Sequence, residues 1–101
     1  MENKVLSMLG LATRARKLVS GEFSVEKAVK EGKAVLVLVA EDASNNTKKL
    51  FTNMCAYYQV PMYVISNKES LGHAMGKEIR ASIAILDTGF ANAIMKHMDD
   101  N

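Results

Sequence analysis

KAVLVLVAEDASNNTKK, residues 33–49, is the stretch on which the fold turns. Residues 35–40 form an unbroken apolar run, rich in valine and of strand length, as a strand covered on both faces reads. It predicts a central strand. The run stops at Glu41 and Asp42, and the cluster Ser44, Asn45, Asn46, able to cap a helix, precedes Lys48, Lys49 and a new apolar stripe. The order is therefore strand, loop, helix. In open α/β sheets, loops at the carboxyl ends of strands are where ligands sit.

Toward the amino end, Val5, Leu6, Met8, Leu9 and Ala12 mark a helix with one apolar stripe that ends near Arg14, Arg16 and Lys17. Cations there also complement the helix dipole, a purely structural reason for the cluster. Leu18, Val19 and Ser20 read as a short extended piece. Gly21 supplies a turn before a second helix through Val25, Ala28 and Val29, with Glu26 and Lys30 as an i,i+4 pair and Gly32 as its end.

Toward the carboxyl end, Leu50, Phe51, Met54, Cys55 and Tyr58 fall on one helical face, which reads Cys55 as a core thiol. Residues 60–65 form the next strand, with Pro61 near its start where a missing N–H is tolerated. Ser66 and Glu69 have capping-box spacing and open a short helix that Gly72 weakens and Gly76 closes. A loop over residues 77–80 leads to a β-like run at 82–86, and Asp87 or Thr88 caps a last helix carrying Phe90, Ile94 and Met98. This alternation of helices and strands predicts an α/β fold, a three-layer α/β/α sandwich with helices on both faces of a small sheet.

A chain of 101 residues has room for one domain, residues 1–101, with a modest core. The apolar runs are too short to span a bilayer and no export signal is visible, so the expected setting is the cytoplasm, with no membrane partner. One cysteine and two histidines make a metal site a poor expectation, and no cofactor is implied. Residues 1–50 carry nine Lys and Arg against six acids, a balance of +3 within a net charge of +2. That asymmetry reads either as an anionic partner or as solvated lysines on helix backs.

Three function classes fit these features. Glu41 and Asp42 after one buried strand, with Asp87 after another, suit a magnesium site of a small phosphoryl-transfer enzyme. Against it, the chain has no P-loop and no G-x-G-x-x-G. A protein-interaction adaptor is a second class, since a fold does not settle function. The third is nucleic-acid binding. A helix opening at residues 21–24 offers unpaired N–H groups and a positive dipole to a phosphate, and Lys27 adds charge one turn along. Phe23 either stacks on a base or folds inward as a helix staple, and Ile79 has the same two readings. Arg80 suits a phosphate or is a plain surface arginine.

Three segments carry a family resemblance: LGLATRARKLVSGE at 9–22, KAVLVLVAEDAS at 33–44 and LGHAMGKEIRASIAILDTGFA at 71–91. Together they resemble the bacterial YlxQ-type proteins of the kink-turn-binding ribosomal-protein superfamily. The resemblance runs in order over essentially the whole chain. It implies the same sandwich with a mixed four-stranded sheet, and RNA binding without catalysis, by a monomer on a kink-turn or ribosomal RNA rather than on DNA. It also implies an RNA-binding set. The turn opening the second helix matches Gly21, Glu22, Phe23 and Ser24, the helix lysine matches Lys27, and the acid after the central strand matches Glu41. The loop before the last strand matches residues 76–80, with Lys77, Ile79 and Arg80 as its contacts. Where archaeal members read guanine edges of sheared G·A pairs with Asn-Glu, this chain has Phe23 and Ser24.

Overall fold

The computed structural model describes residues 2–99. Its elements run α1 (Glu2–Arg14), β1 (Leu18–Ser20), α2 (Glu22–Lys30), β2 (Leu36–Val39), α3 (Asn45–Tyr58), β3 (Met62–Val64), α4 (Lys68–Ala74), β4 (Ser82–Ile85) and α5 (Thr88–Asp99). The alternation matches the one read from the sequence.

The four strands form one sheet in the order β1-β4-β2-β3. β4 runs antiparallel to both β1 and β2, placing Ile85 opposite Leu18 and Leu36, whereas β3 runs parallel to β2 with Met62 opposite Val37. The sheet is therefore mixed. The apolar run at residues 35–40 supplies an inner strand, and all four residues of β2 and all four of β4 are buried. Burial of every residue, and not of alternate ones, requires cover on both faces. The helices provide it in two groups, α1 against α4 and α5, and α2 against α3.

Phe51, Leu9, Leu71 and Ile94 are among the largest fully buried side chains, each on the inner stripe of its helix. Burial of a side chain of this size is worth about 1.5–3 kcal/mol. The stripe read on α3 holds for Phe51, Met54 and Cys55, but Tyr58 is exposed, against Tyr57 in an edge-to-face pair.

Helix starts follow side-chain chemistry. Ser44 accepts from the Thr47 N–H at 3.1 Å to cap α3, and Asp87 accepts from the Phe90 N–H at 2.9 Å to open α5. The expected Ser66–Glu69 capping box does not form. Asn67 caps α4 by accepting from the Ser70 N–H at 2.8 Å, and Ser66 takes φ 60 and turns its carbonyl to the Glu41 N–H. A side chain can cap only from the extended conformation that Asn67 keeps.

Cys55 is buried, and desolvation of its thiolate raises the thiol pKa from 9.0 to about 11. An unfolded chain ionises this thiol near 9 and the folded one only near 11. The thiol's contribution to stability is thus intact below pH 9 and is lost as pH rises toward 11. Denaturant unfolding of wild type and Cys55→Ala across that window should show the stability gap between them narrowing as pH rises. A gap independent of pH would mean that the thiol ionises alike in both states.

Candidate nucleic-acid interface

Strand directions decide which loops meet. Because β4 opposes β1 and β2, and β3 runs with β2, the carboxyl ends of β1, β2 and β3 lie at the same end of the sheet as the amino end of β4. Gly21 leaves β1 there, Glu41 leaves β2, Ser66 leaves β3, and Ile79 and Arg80 enter β4. Asp87 leaves β4 at the opposite end. The three carboxylates of the magnesium-enzyme reading therefore do not converge: Asp87 caps α5, and Asp42 accepts from the Lys68 N–H at 2.8 Å.

Short hydrogen bonds tie these loops together. The Gly21 N–H donates to the Ser82 carbonyl at 3.1 Å, the Ala40 N–H to the Ala81 carbonyl at 2.9 Å, the Glu41 N–H to the Ser66 carbonyl at 3.0 Å, and the Arg80 N–H to the Lys68 carbonyl at 3.0 Å. Arg80 also reaches across the end of β1, its Nε–H donating to Ser20 Oγ at 2.9 Å and its Nη1 to the Ile79 carbonyl at 2.7 Å.

α2 starts differently from α3, α4 and α5. Gly21 occupies its N-cap with φ 93 and ψ 148, a conformation that glycine reaches without strain, and no side chain caps the first turn. The amide groups of Glu22, Phe23 and Ser24 thus open toward solvent at the positive end of the helix dipole. Phe23 is 77 % exposed. The inward staple is thereby excluded, and the ring stands free beside Ser24. Ile79, 54 % exposed, is likewise outside the core.

The remaining candidates divide. Glu22 turns sideways: its Oε1 accepts from the Thr47 hydroxyl at 3.3 Å, which ties the start of α2 to that of α3. Glu41 is exposed beside the Ser66 turn. Lys27 lies one turn into α2 on its solvent side, and Lys77 follows α4, its N–H donating to the Gly72 carbonyl at 2.8 Å. Neither lysine side chain has an ion pair among the described residues. Phe23 and Lys27, four residues apart, share a groove with Val19, Glu31, Lys33 and Leu86.

Three residues that hold this end together were missed in the sequence: Ser20, Asp42 as a tie to α4, and Gly72. A Cβ on Gly72 would lie 2.6 Å from the Glu78 carbonyl oxygen and 2.8 Å from the Ile79 Cα, so the loop before β4 rests directly on the α4 backbone. A lone glycine inside a helical pattern was the available signal for this contact.

The sequence profile of the Ribosomal protein L7Ae/L30e/S12e/Gadd45 family matches residues 3–95. The chain belongs to that family. Within it, the chain is 48% identical over 92 residues to "RNA-binding protein YlxQ" of Bacillus subtilis (strain 168), covering 91% of this chain and 92% of that protein. It is 32% identical over 94 residues to large ribosomal subunit protein eL8 of Cenarchaeum symbiosum (strain A), covering 92% and 75%. A solved structure of a protein of unknown function from Bacillus halodurans C superposes with a TM-score of 0.92 at 44% identity, covering 95% of this chain and 97% of that one. The resemblance to YlxQ-type proteins holds, and with it the α/β sandwich of the L7Ae family.

Proposed function

We propose that this chain is a non-catalytic RNA-binding protein that recognises kink-turns or similarly bent structured RNA, as a single cytoplasmic domain working as a monomer close to the ribosome. The observation that carries the reading is the uncapped opening of α2, with Phe23 exposed, at the end of the sheet that also presents Arg80. The RNA-binding relative and the archaeal ribosomal protein support it. Ordinary A-form RNA hides its base edges in a deep narrow major groove, whereas a kinked internal loop opens that groove to a helix end. The amides of residues 22–24 receive phosphate, Lys27 and Lys77 add charge, Arg80 offers a fork of N–H donors, and Phe23 and Ile79 stack on bases. Glu41 stands beside them to accept from base or ribose N–H and O–H groups.

Ser24 sets the expected specificity. Its hydroxyl accepts a hydrogen bond without charge assistance, and charged hydrogen bonds are about twice as strong. Shape then carries more of the recognition than base edges do. Phe23→Asn with Ser24→Glu should sharpen the preference for intact sheared G·A pairs by about 1–3 kcal/mol, the worth of a good base-edge contact. The check is a titration of both proteins against intact and G·A-disrupted kink-turns at one fixed salt. Equal discrimination by the two proteins would mean that residues 23 and 24 do not face the bases.

A further inference from the structure

We infer that Ser20 is a positioning residue for Arg80, holding its guanidinium in the one orientation that presents the end of the fork to an RNA phosphate; this rests on the RNA-binding reading above. Arginine recognises phosphate by a rigid planar fork, so its value depends on where the plane points. An exposed arginine is ordinarily a mobile side chain that gives up rotamer freedom when it binds. Arg80 is fixed beforehand at three points. Its backbone N–H donates to the Lys68 carbonyl, its Nη1 donates to the Ile79 carbonyl, and its Nε–H donates to Ser20 Oγ.

Only the last of these comes from a side chain, and it spans sixty residues of sequence. Ser20 is itself anchored, as the last residue of β1, paired with Ile83. It also directly precedes Gly21, which opens α2, so the hydroxyl joins the arginine to the helix start expected to hold phosphate. With Nε and Nη1 engaged, Nη2 has no partner among the described residues and stands at the free end of the fork. Lys68 connects the same arginine to Asp42, since its carbonyl accepts from Arg80 and its N–H donates to the carboxylate. The loops after β1, β2 and β3 thus meet at one residue, β1 through the Arg80 guanidinium and the other two through its backbone N–H.

Ser20→Ala removes the acceptor and leaves the strand backbone intact. It should weaken kink-turn binding roughly threefold to tenfold, the range of one lost hydrogen bond. In an Arg80→Ala background the same change should do nothing further, because a positioning residue acts only through what it positions. Ser20→Thr keeps the hydroxyl on a residue suited to strands and should restore binding, while the isosteric Ser20→Val should not. In the free protein, ¹⁵N relaxation of the Arg80 Nε–H should report an ordered group in wild type and Ser20→Thr and a mobile one in Ser20→Ala. Wild-type binding with an indifferent Ser20→Ala, an equal loss in the Arg80→Ala background, or an Arg80 Nε–H equally mobile in all variants would each overturn the inference alone. A wild type that binds no kinked RNA would overturn the RNA reading and this inference with it.

Discussion

Replacing Gly72 by alanine should lower the melting temperature, although alanine is the better helix former. The expected gain from helix propensity is about 1 kcal/mol. Against it stands a Cβ placed 2.6 Å from the Glu78 carbonyl oxygen, 2.8 Å from its carbon and 2.8 Å from the Ile79 Cα. All three neighbours are backbone, so no rotamer change relieves the contact. Overpacking of this kind costs about 1–3 kcal/mol. Set against the propensity gain, that leaves a net loss of up to about 2 kcal/mol, and with a melting temperature that moves about 4–8 °C per kcal/mol in a domain of this size, a drop of up to roughly 15 °C is the expected reading in a thermal melt. A rise instead would show that residues 77–80 yield freely and are no rigid part of the surface. Because Ile79 and Arg80 ride on that loop, affinity for kinked RNA should fall in the same variant.

Salt should produce the largest change in affinity. With Lys27, Lys77 and Arg80 each neutralising one phosphate, binding should weaken by about 0.7–0.9 log units per phosphate for each tenfold rise in salt, or roughly a hundredfold to five-hundredfold in all. Lys27→Ala and Arg80→Ala should each reduce the slope by about one unit and weaken all kinked sequences alike, since phosphate contacts position without reading sequence. Titrations at several salt concentrations against two kink-turns of different sequence measure both effects. A flat response would remove the phosphate contacts from the reading, and an unchanged affinity in both variants would place the RNA on another face.

Fold and site differed in how much of each could be read from residues alone. The central strand and the helices were legible because their signals are local: an apolar run at 35–40, and stripes whose inner members, Val5, Leu9, Val25 and Phe51, are all buried. Neighbouring signals of similar strength were harder to separate. Ser66 and Asn67 are adjacent caps, and what chose between them was the Ser66 carbonyl reaching Glu41, a contact between two strand ends. The mixed sheet came from the family resemblance, since nothing in residues 82–86 shows that they insert between β1 and β2. In the site, the opening of α2 was legible for the same local reason. Its bracing was not. Ser20 to Arg80 and Asp42 to Lys68 span sixty and twenty-six residues, and each pair is unremarkable until the fold brings it together.

The strand order β1-β4-β2-β3 also bears on how the protein is made. β1 has no neighbour in the sheet except β4, and β4 leaves a ribosome only after α2, β2, α3, β3 and α4 have done so. While residues 1–81 emerge, β2 and β3 can pair, but β1 must wait, and the segment that carries Ser20 and Gly21 has no strand to set its register. Insertion of residues 82–85 joins the two halves in one late, non-local step, the kind of pairing that slows folding. The loops that carry Gly21, Glu41 and Arg80 are therefore joined only once residues 82–85 have emerged, and a nascent chain halted before residue 82 would display the basic residues of 1–50 without the arrangement proposed to receive RNA.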